Sequence, residues 1–182
     1  MKLILLRHEE RYENPLFFIS LTEKGLNNAE KYIPTQIRKF SPDIIYSSPF
    51  RRTIQTIRPY CVKYGEKVHI DYSLYEYIHA KEFTEKTYKH HVTELEPDEY
   101  KDIIADYSPF IEPEDLVCPE IEEDIKERVF NFIDELTKRH PNDTVLLVSH
   151  MSTLNVCMNY YNNKTELEDE FKMGSLVVLT NV

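Results

Sequence analysis

The feature that most constrains this chain is its alternation of short, uniformly apolar runs with amphipathic stretches. Lys2 to Leu6 is apolar at nearly every position, and so is Val145-Leu146-Leu147-Val148 within Thr144 to Ser149. A strand with one wet face would alternate; runs like these fit strands covered on both faces. Between them the period changes. In Glu120 to Arg139, Ile121, Ile125, Val129, Phe132, Ile133 and Leu136 fall on one helical face. Thr22 suits an N-cap, with Leu21 as a staple, for a helix running to about Lys39. Pro42 opens a strand over Asp43 to Ser47, Pro49 favours the first turn of a following helix, and Gly65 suits that helix's C-cap. Val68 to Tyr72 reads as a strand, Pro141-Asn142-Asp143 as a turn, Thr153 to Tyr161 as a helix and Leu176 to Thr180 as a last strand.

The implied fold class is α/β. The pattern predicts a three-layer sandwich, with a largely parallel central sheet and helices on both faces. Tyr77 to Pro119 breaks it. This segment is charged and tyrosine-rich, with prolines at 97, 109, 113 and 119. It reads as an inserted lid region of short helices, about 77–119, within a single domain spanning 1–182.

Composition narrows the partners. At 182 residues and 41% hydrophobic content the chain can bury a sizeable core. A net charge of −10 argues against nucleic acid, which requires a basic face. No apolar run is long enough to span a bilayer. Met1 to Arg7 reads as a first strand and not as a signal peptide, so a cytoplasmic location is the default. Cys61, Cys118 and Cys157 are odd in number and scattered, which argues against a zinc knuckle or a disulfide framework. With only three glycines, the chain has no glycine-rich phosphate loop.

Residues able to carry chemistry gather at predicted strand ends, where open α/β sheets bind ligands. Arg7-His8 follows the first strand, and Ser48-Pro49-Phe50-Arg51-Arg52 follows the second. Leu74-Tyr75-Glu76 follows the third, and Ser149-His150 closes the next. Neutral imidazole is nucleophilic near neutral pH. Guanidinium forks match phosphate oxygens. Cations at a helix start oppose its dipole, so Arg51 and Arg52 suggest an anion to bind, although solvated surface arginines fit too. A lone histidine, or one glutamate among many, carries little by itself. The specific signal is the joint order.

That order resembles the histidine phosphatase superfamily, also called phosphoglycerate mutase-like, from Lys2 to Leu179. Tyr46-Ser47-Ser48-Pro49-Phe50-Arg51-Arg52-Thr53-Ile54-Gln55-Thr56 is similar to the family's Ser-Ser-Pro-Leu-x-Arg-Ala-x-Gln-Thr. The match places Arg52 at the phosphate-binding position and Arg51 at the variable one. Leu21-Thr22-Glu23-Lys24-Gly25, Glu120 eight residues before Arg128, and Met173-Gly174-Ser175 are further matches. The resemblance implies His8 as phosphate acceptor and Glu76 as proton donor, with Glu82 and Glu85 as nearby substitutes. It implies that Arg7, Arg52 and His150 hold the phosphoryl group and that Asn14, six residues after His8, contacts substrate. It further implies a metal-independent phosphomonoesterase without cofactor, acting through phosphohistidine on a small-molecule or protein phosphomonoester. A mutase or sugar bisphosphatase, and a non-catalytic phosphate-binding module, are the alternatives.

Departures from the family bear on these expectations. Glu9 stands where the family has Gly, so its carboxylate should face away from phosphate or select a cationic feature of the substrate. Met151 replaces another Gly, Ile121 a Ser, and Asn155 a common Arg. The loop from Asn14 to Leu21 is short, which weighs against a mutase. Arg-His-x-Glu-Arg and Leu-x-Glu-aromatic look like the branch containing tyrosine phosphatases of lymphocyte signalling and ecdysteroid-phosphate phosphatases. That branch implies a hydrophobic or aromatic leaving group, which Tyr77, Tyr88, Tyr100 and Tyr107 would line unless they simply pack.

Overall fold

A computed structural model describes residues 1–84, 87–162 and 171–180. Its strands β1 (Lys2–Arg7), β2 (Ile44–Ser47), β3 (His69–Ile70), β4 (Thr144–Ser149) and β5 (Leu176–Leu179) form one sheet in the order β3-β2-β4-β1-β5. The pairs β2–β3, β2–β4 and β1–β4 are parallel, and β5 runs antiparallel to β1.

The uniform apolar runs are explained by the two cores they feed. Ile4 and Leu6 of β1, with Leu146 and Val148 of β4, face Ile33, Ile37, Ile54 and Ile57. Leu3, Leu5, Val145 and Leu147 point the other way, against Ile125, Val129, Phe132, Ile133 and Leu136. Period-two side chains thus enter two dry layers. Each fully buried Leu or Ile of β1 contributes about 2 kcal/mol of apolar burial. The first layer holds α1 (Glu23–Lys31), α2 (Ile33–Arg38) and α3 (Arg51–Tyr64), with the short α4 (Pro97–Tyr100) against α3. The second holds α5 (Glu122–Arg139) and α6 (Met151–Asn162). No helix among the described residues is long and apolar enough to cross a membrane.

Several boundaries differ from the sequence pattern. The helix expected from Thr22 to Lys39 is two helices broken at Tyr32, because Pro34 has no N–H to give the carbonyl one turn back. Thr22 caps the first as expected, its Oγ1 accepting from Gly25 N at 3.0 Å. Pro49 lies just outside α3, whose N-cap is Phe50. Strand β3 ends at Ile70, where the Asp71 carboxylate takes Ser73 N (3.0 Å) and starts a 3-10 turn over Tyr72–Leu74. Helix α6 begins directly after His150. Within Tyr77 to Pro119, 3-10 turns at Val92–Glu94 and Pro113–Asp115 flank α4. Ile78, Phe83, Leu95, Tyr100, Ile103 and Leu116 anchor this segment in the first core.

One close approach fixes the loop that follows β1. Thr22 N donates to Glu10 O at 2.9 Å, and α1 crosses so near that a Cβ built on Gly25 lies 2.1 Å from that oxygen. A methyl group there must push helix and loop apart. Gly25→Ala should therefore lose about 2 kcal/mol of stability. The loss should appear as a lower urea midpoint at unchanged slope. Wild-type stability in this variant would contradict the close approach.

Candidate active site

Strands β1 and β4 are parallel neighbours with Arg7 opposite Ser149, yet their chains leave toward opposite layers. Such a divergence opens a crevice at the carboxyl ends of the strands. His8 N donates to Ser149 O at 3.1 Å and Ser48 N to Val148 O at 3.0 Å, so three strand ends converge there. Arg52 enters from the first turn of α3. Glu76 enters from the chain after the 3-10 turn.

Five of the sequence-predicted site residues meet in this crevice. The His8 and His150 rings lie 5.4 Å apart, and both residues are buried. Glu76 Oε2 lies 3.3 Å from His150 Nδ1 and 3.4 Å from Arg52 Nη2. Arg52 is fully buried over the Phe50 ring, donating from Nη1 to Leu16 O (3.0 Å) and from Nη2 to His150 Nδ1 (3.1 Å). Its Nε has no hydrogen-bond partner among the described residues. Arg7 Nη1 donates to the Phe171 carbonyl.

Two tautomers follow from these bonds. His8 Nδ1 lies 2.8 Å from Glu9 O, and a carbonyl can only accept. Nδ1 therefore carries the proton and Nε2 keeps its lone pair. At His150 the Arg52 guanidinium can only donate, so Nδ1 accepts and Nε2–H points to Ser48 Oγ at 2.9 Å.

Burial favours neutral acids and bases here, and nearby arginines reinforce this at the histidines. His8 is held well below the usual histidine range, first by burial and then by Arg52. His150 is held down by burial, Arg52 and His8. Burial raises the Glu76 carboxyl, and Arg52 opposes that rise. Burial draws Arg52 down to about 9, with Glu76 opposing, so the guanidinium stays charged at neutral pH. The helix dipole adds to this field, because α6 starts at Met151 with its positive end beside the site.

Other expected participants lie apart. Asn14 is exposed, with φ of 91°, and its Oδ1 accepts from Leu16 N at 2.9 Å; the side chain organises its own loop. Glu9 faces away from the histidines: its Oε2 takes Asn28 Nδ2 and Glu10 N, each at 3.3 Å. Its Oε1 fills the space where a Cβ on Gly174 would sit. Arg51 pairs with Glu99 at 2.8 Å. Glu82 lies 3.3 Å from His79 in an outer pair, and Glu85 falls outside the described residues. Asn155 is buried on α6, and Met151 packs on the second core. Tyr100 is in the first core, Tyr107 donates to Asp71, Tyr88 takes the Tyr75 hydroxyl on its carbonyl, and Tyr77 packs on the second core.

Sequence reasoning missed Arg11, whose charge acts on His8, Arg52, Glu76 and His150. Its only sequence signal was the Arg-His-x-Glu-Arg spacing. Among the described residues no group of three or more His, Cys, Asp or Glu side chains could hold a metal ion.

Known proteins share this fold. The profile of the histidine phosphatase superfamily (branch 1) matches residues 3–180. Phosphoserine phosphatase 1 of Hydrogenobacter thermophilus is 28% identical over 165 residues, covering 82% of this chain and 71% of its own length. A phosphoserine phosphatase mutant of Entamoeba histolytica, solved with phosphoserine, has 22% identity and a TM-score of 0.67, covering 97% of this chain and 89% of that one. Ecdysone phosphate phosphatase of Bombix mori, solved with tungstate, has 15% identity and a TM-score of 0.68, covering 97% and 88%. At such identities the solved structures establish a common fold. The profile match extends from the core of β1 to the end of β5, and this chain belongs to the histidine phosphatase superfamily.

Proposed function

We propose that this protein is a metal-independent phosphomonoesterase working through phosphohistidine on His8. The observation that carries the reading is the tautomer of His8, whose backbone bond leaves Nε2 as a buried lone pair beside a charged Arg52. In the first step Nε2 attacks phosphorus and the bond to the leaving oxygen breaks. The Glu76 proton passes to that oxygen, so alcohol departs and Glu76 becomes a carboxylate. In the second step Glu76 takes a proton from water, the water oxygen attacks phosphorus, and the P–N bond breaks. Inorganic phosphate leaves and both residues return to their starting states.

Arg7, Arg52 and His150 hold the equatorial oxygens in this reading, His150 by turning its Nε2–H from Ser48 to the phosphoryl oxygen, and Arg11 adds positive charge. Arg52 Nε, buried and without a hydrogen-bond partner among the described residues, is a donor that a phosphoryl oxygen would satisfy. Preorganised donors of this kind supply about 3–4 kcal/mol each when well placed. The raised Glu76 carboxyl supports its role, since a proton donor must be neutral when substrate binds. Asn14 would join only if its loop opens.

A phosphatase fits better than a mutase. A mutase needs cations for the substrate's carboxylate, whereas the segment beside α3 is acidic. It pairs Arg51 with Glu99 and Arg58 with Asp102, at 2.8 and 2.5 Å. As a lid, Tyr77 to Pro119 would repel highly anionic bisphosphates. Phosphoserine, the ester named for the Hydrogenobacter and Entamoeba relatives, heads the substrate panel. Aryl phosphates come next.

Two experiments test this reading. Enzyme given labelled substrate and quenched in alkali should carry base-stable, acid-labile phosphate on His8, and His8→Ala should lose both label and turnover. Label on serine, cysteine or aspartate would overturn the mechanism. In coupled assays on one preparation, phosphate release should survive EDTA, be inhibited by vanadate and exceed interconversion of 2- and 3-phosphoglycerate. Mutase turnover above phosphate release, or chelator loss restored by Mg²⁺, would contradict the assignment.

A further inference from the structure

Glu76 stands on a stretch that neither sheet nor helix holds. The 3-10 turn ends at Leu74, and regular structure does not resume at Tyr75, Glu76 or Tyr77. Backbone groups in such a stretch need partners from elsewhere, because an unpaired buried carbonyl is costly. Three successive carbonyls find them in side chains. Ser73 O accepts from Arg128 Nη1 at 2.8 Å, and Leu74 O accepts from Ser149 Oγ at 2.7 Å. Tyr75 O accepts from Thr153 Oγ1 at 2.7 Å and from Arg128 Nη1 at 3.2 Å.

Beyond Glu76 the pattern continues. Ile78 N donates to Glu120 Oε2 and Glu120 N donates to Ile78 O, both at 2.8 Å. Glu120 and Arg128 are themselves locked by a bidentate pair, Nε–Oε1 at 2.7 Å and Nη2–Oε2 at 2.9 Å. Both residues are buried. A buried ion pair is weak evidence for stability, since its desolvation cost offsets its attraction. This pair instead spans the stretch that carries Glu76, gripping the backbone before and after it. Ser149 and Thr153 lie on either side of His150 in sequence, so the same contacts fix Glu76 relative to that histidine.

We propose that Glu120, Arg128, Ser149 and Thr153 are positioning residues that hold Glu76 at proton-transfer distance from the leaving oxygen. The proposal rests on Glu76 being the proton donor. Burial is what raises the Glu76 carboxyl in this cradle. Loosening it should displace the carboxyl and lower its pKa together. A misplacement of about 1 Å costs about 100-fold in a reaction that depends on alignment.

The test compares two esters. 4-Nitrophenyl phosphate has a good leaving group and needs little protonation; an alkyl phosphate such as phosphoserine depends on it. Glu76→Gln sets the reference in kcat/KM, which reports formation of the phosphohistidine and not its hydrolysis, and its loss there should be about 100-fold or more on the alkyl ester and far smaller on the aryl ester. Thr153→Val keeps the side chain's shape and removes one bond to Tyr75 O. It should lose about fivefold to tenfold in kcat/KM on the alkyl ester and little on the aryl ester. The alkaline limb of its kcat/KM profile should move to lower pH, as a less raised Glu76 ionises earlier. Arg128→Lys should do the same more strongly, with folding monitored by thermal melting. Equal losses on both esters in Thr153→Val, with an unmoved alkaline limb, would overturn the cradle while leaving the Glu76 assignment standing. If Glu76→Gln lowers kcat/KM alike for both esters, the proton-donor reading fails and the cradle falls with it.

Discussion

The parallel pairing of β1 with β4 is the contact on which the rest depends. It sets Arg7 opposite Ser149, and the next hydrogen bond, His8 N to Ser149 O, carries that register past the end of the sheet. Both histidines therefore leave the sheet at the same height. Their chains then part, one toward α1 and one into α6 on the opposite layer. A one-residue slip would turn His8 and the core side chains of β1 to the wrong face. The two dry cores guard against this, because Leu3 to Leu6 are buried on alternating sides.

Burial then does chemical as well as structural service. Burial, and then the nearby arginines, hold the histidines well below their usual range, while burial raises the glutamate carboxyl against those same arginines. Among Arg7, Arg11 and Arg52, the last is fully buried beside Glu76. The result is a cationic pocket in a chain of net charge −10. Such focusing favours a phosphate dianion locally while the acidic surface sets a broader field against polyanions.

The layers were legible in the sequence because both faces of β1 and β4 are dry, which leaves a uniform apolar run. The helical face of α5 was legible for the complementary reason. Long-range events were not. Strand β3 stops short because Asp71 turns to Ser73 N nearby and to Phe110 N and the Tyr107 hydroxyl, the last two far away in sequence. The break at Tyr32 was written in Pro34 but masked by helical pattern on either side. Among site residues, His8, Arg52 and His150 stood out through strand-end motifs. Glu76, one glutamate among many, was singled out by its Leu-x-Glu place after the third strand, and in the fold its 3.3 Å approach to His150 sets it apart. Glu9 looked hostile to phosphate, and only Asn28 and Gly174 in the fold reveal where its carboxylate goes. Asn14 matched a spacing, yet its side chain caps its own loop.

The central claim is that His8 is neutral, protonated on Nδ1 and free at Nε2. Long-range ¹⁵N–¹H correlation spectra of the histidine rings, followed across pH in the substrate-free protein, address it directly. Because burial and Arg52 lower the His8 pKa, the imidazole should stay neutral as pH falls below about 6.5, where a free histidine charges. Its spectrum should show the Nδ1–H tautomer throughout that range, and the signal should vanish in His8→Ala. An imidazolium at pH 7, or a neutral ring protonated on Nε2, would contradict the account.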